Sequence, residues 1–245
     1  MNKIYLVILT LVLFSCSSYF KRKDCESTNW FEYGEKVALE GRRLSGDQFL
    51  GECFSADANV DESAADRGFK SGLEKYCQPE TIFQVGKNGN FFSQEMCVGE
   101  NVNLLKTRHL AGVVEYCQKS NGYAAGAGGK AYNNICPNSL EAAFLPEFKR
   151  GRKRYLNTLI SDNEKQISTL ERELSQSQMD LRNRRAEMQT LQNTASASEQ
   201  AQARYNAVSS QVRDLEYNIN AKKTQQTKLH EKNRELQLEI VKTEN

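Results

Sequence analysis

The chain is 245 residues long, carries a formal net charge of +2 and is 26% charged. A balance so near neutrality gives little electrostatic attraction for nucleic acid, so we expect no nucleic-acid partner. The chain holds only two histidines, and no arrangement of a nucleophile with a base is recognisable. Composition therefore argues against an enzyme, and we expect no catalytic residue, no cofactor and no metal site.

The chain begins with a pattern typical of an export signal. Lys3 precedes an apolar run over residues 4–14, which is too short to cross a bilayer as a mature helix. The stretch Leu13-Phe14-Ser15-Cys16 resembles a bacterial lipobox, in which the cysteine is lipidated. We therefore predict a lipoprotein signal peptide over residues 1–15 and lipidation at Cys16. The alternative is an ordinary cleaved signal, with Cys16 lost or idle.

Lipidation at Cys16 would hold the protein on a membrane without a spanning helix. The acyl chains of a lipoprotein bury many methylene groups, which makes the attachment essentially permanent. Ser17, in place of an aspartate, resembles the outer-membrane sorting pattern of Gram-negative cells. We expect a location in the bacterial cell envelope, on the outer membrane and facing the periplasm, with residues 16–23 as a lipidated tether.

A segment with two cysteines is present in two copies. At matching offsets from the first cysteine of each copy come an aromatic residue, two glycines, a second aromatic residue and a second cysteine. The members are Cys77, Phe83, Gly86, Gly89, Phe92 and Cys97 in one copy, and Cys117, Tyr123, Gly126, Gly129, Tyr132 and Cys136 in the other. The match indicates internal duplication, with glycines that allow close backbone approach or a positive φ and aromatic residues that cover the contact.

Weaker copies flank the two clear ones. Trp30, Phe31 and Gly34 follow Cys25, and Gly151 follows Phe148. Because terminal repeats often degenerate into caps, we expect about three and a half units in this part of the chain.

The cysteines other than Cys16 are even in number, and an even number in an exported chain predicts disulfides. None of them forms a C-x-x-C pair, which argues against zinc. The duplication favours pairs inside a unit, and pairing between units stays open. The favoured pairs are Cys77–Cys97, Cys117–Cys136 and, by elimination, Cys25–Cys53.

Helical periodicity leads into both copies of the repeat. The apolar positions are Ala65, Phe69, Leu73 and Tyr76 before one copy, and Leu105, His109, Val113 and Tyr116 before the other. Aligning the copies places His109 opposite Phe69. We therefore expect this imidazole in a packing position, with no catalytic or metal-binding role.

One set of residues resembles a known family. Its members are Cys25, Trp30, Gly34, Gly41, Tyr76, Cys77, Tyr123, Gly126, Tyr132, Cys136, Phe148 and Gly151. The set resembles bacterial lipoproteins of the domain of unknown function 2799 family, over roughly residues 16–155. The resemblance implies an envelope lipoprotein. It implies no activity and no catalytic residue.

Beyond Gly151 the chain contains no glycine or proline and has the composition of long helices. Apolar residues recur there in heptads, in two registers offset by three residues. We name eight of them the heptad seam and predict that they bind a protein partner. They are Ile160, Ile167, Leu174, Leu181, Val212, Leu215, Ile219 and Leu236.

The offset between the registers predicts either a stammer in one continuous helix or a turn between two antiparallel helices. Ser196 and Glu199 resemble a capping box, and the arms on either side are nearly equal in length. We therefore favour a hairpin over one rod, with a turn near residues 193–199.

These observations predict a mainly α protein with two parts. A small disulfide-stapled repeat domain would occupy residues 24–151, and long coiled-coil helices would occupy residues 152–245. We expect a non-enzymatic envelope lipoprotein that acts as a scaffold through its coiled coil. Its partners would be the membrane, through the lipid anchor, and an envelope protein, and the coiled coil would also allow an oligomer.

A binding role for the repeat domain is the alternative. The domain would then recognise a cell-wall glycan or inhibit a lytic enzyme, using exposed aromatic residues near Trp30, Tyr123 and Tyr132. A basic cluster at the junction of the two parts would be either a solvated junction or a binding site for an anionic envelope polymer. Its members are Lys149, Arg150, Arg152, Lys153 and Arg154.

Overall fold

The computed structural model describes residues 19–244, which contain helices and no strand. This confirms the expectation of a mainly α protein. Helix α1 covers residues 19–26. The helices that follow are α2 (Trp30–Leu39), α3 (Gln48–Ser55), α4 (Glu62–Tyr76), α5 (Pro79–Lys87), α6 (Val102–Tyr116), α7 (Lys119–Ala127), α8 (Asn138–Gln192) and α9 (Glu199–Glu244), with short 3₁₀ turns at Gln94–Met96 and Ala195–Ala197.

The predicted signal peptide and Cys16 lie outside the described residues. Among the helices between residues 19 and 244, none combines the length and the hydropathy that a membrane span needs.

The chain divides into two compact units. Among the described residues, one contains residues 19–118 together with residues 132–143, and the other contains residues 119–131 together with residues 144–244. The change of composition that set the predicted domain boundary at 151–152 falls inside α8.

Short polar side chains fix where several helices begin. Asn29, Asp47, Asp61 and Asn101 precede α2, α3, α4 and α6, and each accepts a hydrogen bond from the backbone N–H three residues later. These N-caps satisfy one of the free N–H groups at each helix start, and each stabilises its helix by about 1 kcal/mol.

Three disulfides join Cys25 to Cys53, Cys77 to Cys97 and Cys117 to Cys136. These are the pairs that the duplication favours. Cys77 and Cys117 are the C-caps of α4 and α6, so two of the bridges fasten a helix end to the loop that follows the next helix. On the chain-entropy account, each bridge of this loop length stabilises the fold by about 3 kcal/mol.

Helices pack in pairs at glycines where backbone meets backbone. In the pair α5 and α6, a Cβ on Gly86 would lie 2.2 Å from the carbonyl oxygen of His109, and a Cβ on Gly112 would lie 2.1 Å from that of Phe83. The contact is reciprocal, because each glycine faces the carbonyl three residues before the partner glycine. No side chain fits there, and the bare Cα groups allow the helices to approach closely.

The same reciprocal contact occurs in two other helix pairs. In α2 and α4, a Cβ on Gly34 would lie 2.0 Å from Ala65 O and one on Gly68 would lie 1.9 Å from Phe31 O. In α7 and α8, the glycines are Gly126 and Gly151, and each added Cβ would lie 2.1 Å from a carbonyl oxygen of the facing helix. The repeating element of the described residues is therefore a pair of helices crossed at two glycines.

This pairing corrects the expected count of repeat units. Phe148 and Gly151 on α8 take the place that His109 and Gly112 take on α6, on the second helix of a pair. They do not begin a further unit. Among residues 19–244 we find three helix pairs, in place of three and a half units.

The second glycine of the repeat adopts a positive φ at a turn. Gly89 and Gly129 follow the first helix of their pairs with φ values of +73° and +81°, which L-residues with a Cβ rarely adopt. The rings of Tyr116 and Tyr155 lie directly over them, at 2.5 and 2.6 Å from the position of an added Cβ. A tyrosine of the second helix, Tyr116 at the end of α6 and Tyr155 within α8, therefore covers a left-handed turn in each pair.

We expect the substitution Gly68→Ala to destabilise the first helix pair by about 1–3 kcal/mol, because the new methyl group would overlap a backbone carbonyl that has no room to move. Alanine is the better helix former by about 1 kcal/mol, so any net loss reports the overlap alone. Urea unfolding with intact disulfides, followed by the fluorescence of Trp30, the only tryptophan of the chain, measures the change.

The matched control is Gly51→Ala. Gly51 also lies within a helix, α3, but no atom lies within 4 Å of an added Cβ. We expect this variant to be neutral or slightly more stable than the parent. An equal loss in both variants would contradict the assignment of the backbone contact at Gly68.

Candidate interaction surface

The tail is an antiparallel hairpin of α8 and α9. Ion pairs and hydrogen bonds cross between the arms, and their positions on α9 fall as those on α8 rise. They join Arg152 to Glu239 at 2.6 Å, Asn163 to Asn233 at 2.7 Å, Glu173 to Lys222 at 2.9 Å and Arg185 to Glu216 at 2.6 Å. A continuous rod cannot make these contacts, so the preference for a hairpin is confirmed.

The turn of the hairpin uses neither glycine nor proline. α8 ends at Gln192, a 3₁₀ turn covers Ala195–Ala197, and Ser198 has an extended backbone before α9. The Ser198 hydroxyl accepts a hydrogen bond from the Ala201 N–H at 3.2 Å. The N-cap of α9 is therefore Ser198, and the predicted capping role of Ser196 is wrong.

The heptad seam lies on the faces that the arms turn toward each other. Five of its residues are buried, namely Ile160, Ile167, Leu174, Val212 and Ile219. The other three, Leu181, Leu215 and Leu236, are half-buried. With the hairpin closed, a partner would meet mainly the uncovered edges of the seam and the side chains beside it.

A buried amide pair fixes the alignment of the arms. Asn163 and Asn233 are 7% and 8% exposed, and the Asn163 amide donates to the Asn233 carbonyl oxygen. A buried polar pair disfavours other registers, because any slip would leave both amides buried without partners. Two other polar residues in heptad positions are also matched across the hairpin: Lys222 by Glu173, and Gln226 by Glu171 at 3.2 Å.

Packing in the hairpin changes along its length. Within α8, all of which the structure describes, the buried residues extend no further than Leu174. Beyond that point Leu181, Met188 and Leu191 are only half-buried, although Val208, Val212 and Ile219 on α9 stay buried. We name residues 175–221 the distal part of the hairpin. Its α8 side presents apolar side chains that the facing arm does not fully cover.

A cavity opens between the arms in the distal part. Its volume is about 550 Å³, and its walls include Asn183, Arg184, Gln211, Asp214 and Leu215. These walls are mostly polar, with Leu215 as an apolar member, so they can form hydrogen bonds with a partner. Near this cavity in the sequence, the large apolar side chains of Met179 and Tyr217 are 45% and 75% exposed.

The three predicted aromatic residues have different surroundings. Trp30 is 5% exposed, and its indole N–H has no hydrogen-bond partner among the described residues. Tyr132 is half-buried and donates its hydroxyl to Glu141 at 2.6 Å. Tyr123 alone lines a surface groove. The predicted exposure of Trp30 is wrong, because the side chain fills the core beside the Cys25–Cys53 bridge.

His109 has a structural setting. Its ring lies 6.0 Å from that of Phe92, and Nε2 lies 2.8 Å from the Asn90 carbonyl oxygen. The imidazole joins α6 to the loop after α5, as the alignment with Phe69 suggested.

Asp47 is a buried carboxylate whose partners also indicate a structural role. It accepts hydrogen bonds from the Tyr33 hydroxyl, from the Leu50 N–H at 3.0 Å and from Arg42 at 2.8 Å. Burial raises the pKa of the Asp47 carboxyl, but these hydrogen bonds outweigh that effect and hold the pKa below its usual value. Burial and the bond to Asp47 raise the pKa of Tyr33.

The helix pairs carry the family signature. The family described as a protein of unknown function, DUF2799, matches residues 29–112 and 100–153, which together span half of the chain. The chain belongs to the DUF2799 family. The first match runs from α2 into α6, and the second runs from α6 into α8, so the signature of DUF2799 covers the crossed glycines of all three pairs. No curated protein and no solved structure matches the chain.

We expect Asn163→Ala to destabilise the hairpin by about 1–3 kcal/mol, because it leaves the Asn233 amide buried without its partner. Replacing both asparagines by leucine should restore or raise stability but allow the arms to slip. Thermal unfolding followed by circular dichroism measures the first effect. Disulfide trapping of alternative cross-arm cysteine pairs measures the second.

Asn220→Ala is the control for the amide pair. Asn220 also lies on α9 but is exposed, so its loss should change the unfolding temperature little. If Asn163→Ala and Asn220→Ala behave alike, the buried pair does not hold the register.

Proposed function

We propose that this DUF2799 protein is a non-enzymatic envelope lipoprotein that acts as a scaffold and docks a protein partner on its helical hairpin. The observation that carries the proposal is the loss of burial on α8 beyond Leu174. The part of the hairpin before this point holds the arms together. The distal part offers apolar residues at positions that a further helix can cover.

The distal part suits a helical partner. Leu181 and Met188 are seven residues apart on α8, so they share one face of the helix, and both are half-buried. A helix with an apolar stripe laid along this face would complete a three-helix seam, and its polar side chains would reach the cavity between the arms. The partner is therefore a protein with an exposed amphipathic helix, and a second copy of this chain is one outcome of the test.

The disulfides support a location in the bacterial periplasm. All six cysteines among the described residues are joined in disulfides, and disulfides form and persist in oxidising compartments such as the bacterial periplasm. We propose that the mature chain begins at Cys16, that lipid on this cysteine anchors it to the outer membrane, and that the helical part faces the periplasm.

A photo-crosslinking residue placed at Met179 or at Tyr217 in intact cells should trap one and the same envelope protein. Both positions are exposed in the distal part of the hairpin. The control position is Val98, which is 88% exposed and lies in the loop between α5 and α6, outside the hairpin. Mass spectrometry of the crosslinked species identifies the partner and distinguishes it from a second copy of the chain.

A shortened hairpin tests whether the distal part is needed. Deleting residues 175–188 and 209–222 removes two heptads from each arm and keeps the register of Asn163 with Asn233. The partner should then no longer copurify with the chain. Copurification at the parental level, or equal trapping at Val98, would sink the scaffold proposal.

We expect Cys16→Ser to abolish the incorporation of labelled palmitate and to release the protein from the membrane fraction, because the acyl chains supply the attachment. The six described cysteines are paired with one another, so the substitution removes no partner from these three disulfides. Palmitate labelling that survives the substitution would show that Cys16 is not the lipidated residue.

A further inference from the structure

The residues of the basic cluster on α8 do not all have the same surroundings. Arg152 turns inward, where it is 17% exposed, and it donates to Glu239 at 2.6 Å and to the Gly129 carbonyl oxygen at 2.7 Å. Arg150, Lys153 and Arg154 lie on another face of α8 and line a groove beside Tyr123 of α7. Arg152 is therefore a structural residue, and three of the other four members of the cluster line a common surface.

The groove has a volume of about 700 Å³ and is predominantly basic. Arg150, Lys153, Arg154 and Lys165 line it, against the single carboxylate of Asp162. Two acidic partners lower the charge locally, because Glu147 pairs with Arg150 at 2.7 Å and Asp162 pairs with Lys165 at 2.9 Å. These are exposed pairs, which contribute little and exchange readily for a stronger anionic ligand.

Tyr123 holds two arginines in place at one end of the groove. The guanidinium of Arg150 lies over the Tyr123 ring, 4.9 Å from its centroid, and Arg154 Nη1 donates to the Tyr123 hydroxyl at 3.2 Å. A cation over an aromatic face is stabilised there and loses conformational freedom before a ligand arrives. The entropy cost of binding to these two arginines is correspondingly smaller.

The groove is too long for one small anion. Arg150 and Lys165 are fifteen residues apart on a continuous helix, which corresponds to about 22 Å. Between them Asn157 and Ser161 add neutral hydrogen-bonding groups to the wall. Cations at both ends with hydrogen-bonding groups between them fit an extended chain that carries several anionic groups.

We propose that this groove binds an extended phosphate-bearing polymer of the cell envelope. Phosphate is the class of anion indicated, because two arginines in a fixed arrangement match its oxygens in a bidentate manner, better than lysines alone would. The groove lies before the distal part of the hairpin in the chain, and its residues are not those that the scaffold function uses. The two proposals are therefore tested by separate variants.

Binding of fluorescent linear polyphosphate to the full chain in micelles of an uncharged detergent tests the site. The triple variant Arg150→Gln, Arg154→Gln and Lys165→Gln should weaken binding by about tenfold, since it removes three surface charge contacts. The affinity of the parent should fall with salt, and that dependence should become shallower in the variant, because fewer counterions are released.

The matched control removes the same number of positive charges at positions outside the groove. It is the triple variant Arg204→Gln, Lys223→Gln and Lys228→Gln, at three exposed positions of α9. Its affinity should stay within about twofold of the parent. Circular dichroism of both variants shows whether the helices are intact. Tyr123→Phe, which removes the hydroxyl that Arg154 contacts and keeps the ring, should cause a smaller loss than the triple variant.

Four results would overturn the proposal. They are no measurable binding of polyphosphate, an equal loss in the groove and control variants, equal binding of polyglutamate of matched charge, and displacement by a soluble short-chain phosphatidylglycerol at lower concentrations than by unlabelled polyphosphate. The third would show that the groove recognises charge alone, and the fourth would assign it to lipid headgroups.

Discussion

The close contact of backbone with backbone at paired glycines is the constraint on which this structure depends. At each crossing an oxygen of one helix occupies the space where the other helix would carry a side chain, as at Gly112 and Phe83. No side chain separates the two helices at a crossing, so dispersion contacts between their backbones take the place of side-chain packing there. The apolar clusters around Trp30 and Ile82 are small, and the disulfides at Cys77 and Cys117 add restraint at the helix ends.

Helix α8, the first arm of the hairpin, is positioned by one of these glycine contacts. Gly151 holds α8 against α7, and α8 then continues without interruption to Gln192. The arm therefore starts from a fixed crossing, and the inward Arg152 ties its first turns to Glu239 near the end of α9. Further along α8, the Asn163–Asn233 pair selects one register of the two arms. Beyond Leu174, the apolar seam residues of α8 are only half-buried. The buried apolar residues of α8 therefore lie at the crossing and along the arm as far as Leu174, and its half-buried heptad residues lie beyond.

Much of this could be predicted from the sequence, because the repeat spacing and the heptad spacing are visible in it. Glycines in register predicted close approach or a positive φ, and the structure shows the first at Gly86 and the second at Gly89. The change of heptad register near Ser196 favoured a hairpin over a stammer in one helix. Other features depended on which face of a helix is covered. Phe148-x-x-Gly151 has the same form on either helix of a pair, so its place in a pair was not visible. The basic cluster was visible, but only the fold separates the inward Arg152 from the arginines of the groove.

The closed hairpin is the claim on which the functional account rests, since an open rod would expose the whole heptad seam and abolish the distinction between its two parts. Spin labels at residues 173 and 222, which form a cross-arm ion pair, test it by electron–electron distance measurement on the full chain. In a closed hairpin the two labels lie within about 20 Å of each other, a distance set by the spacing of packed helices and the length of the label side chains. A separation on the order of 70 Å, expected for a continuous helix between these positions, would contradict the closed hairpin.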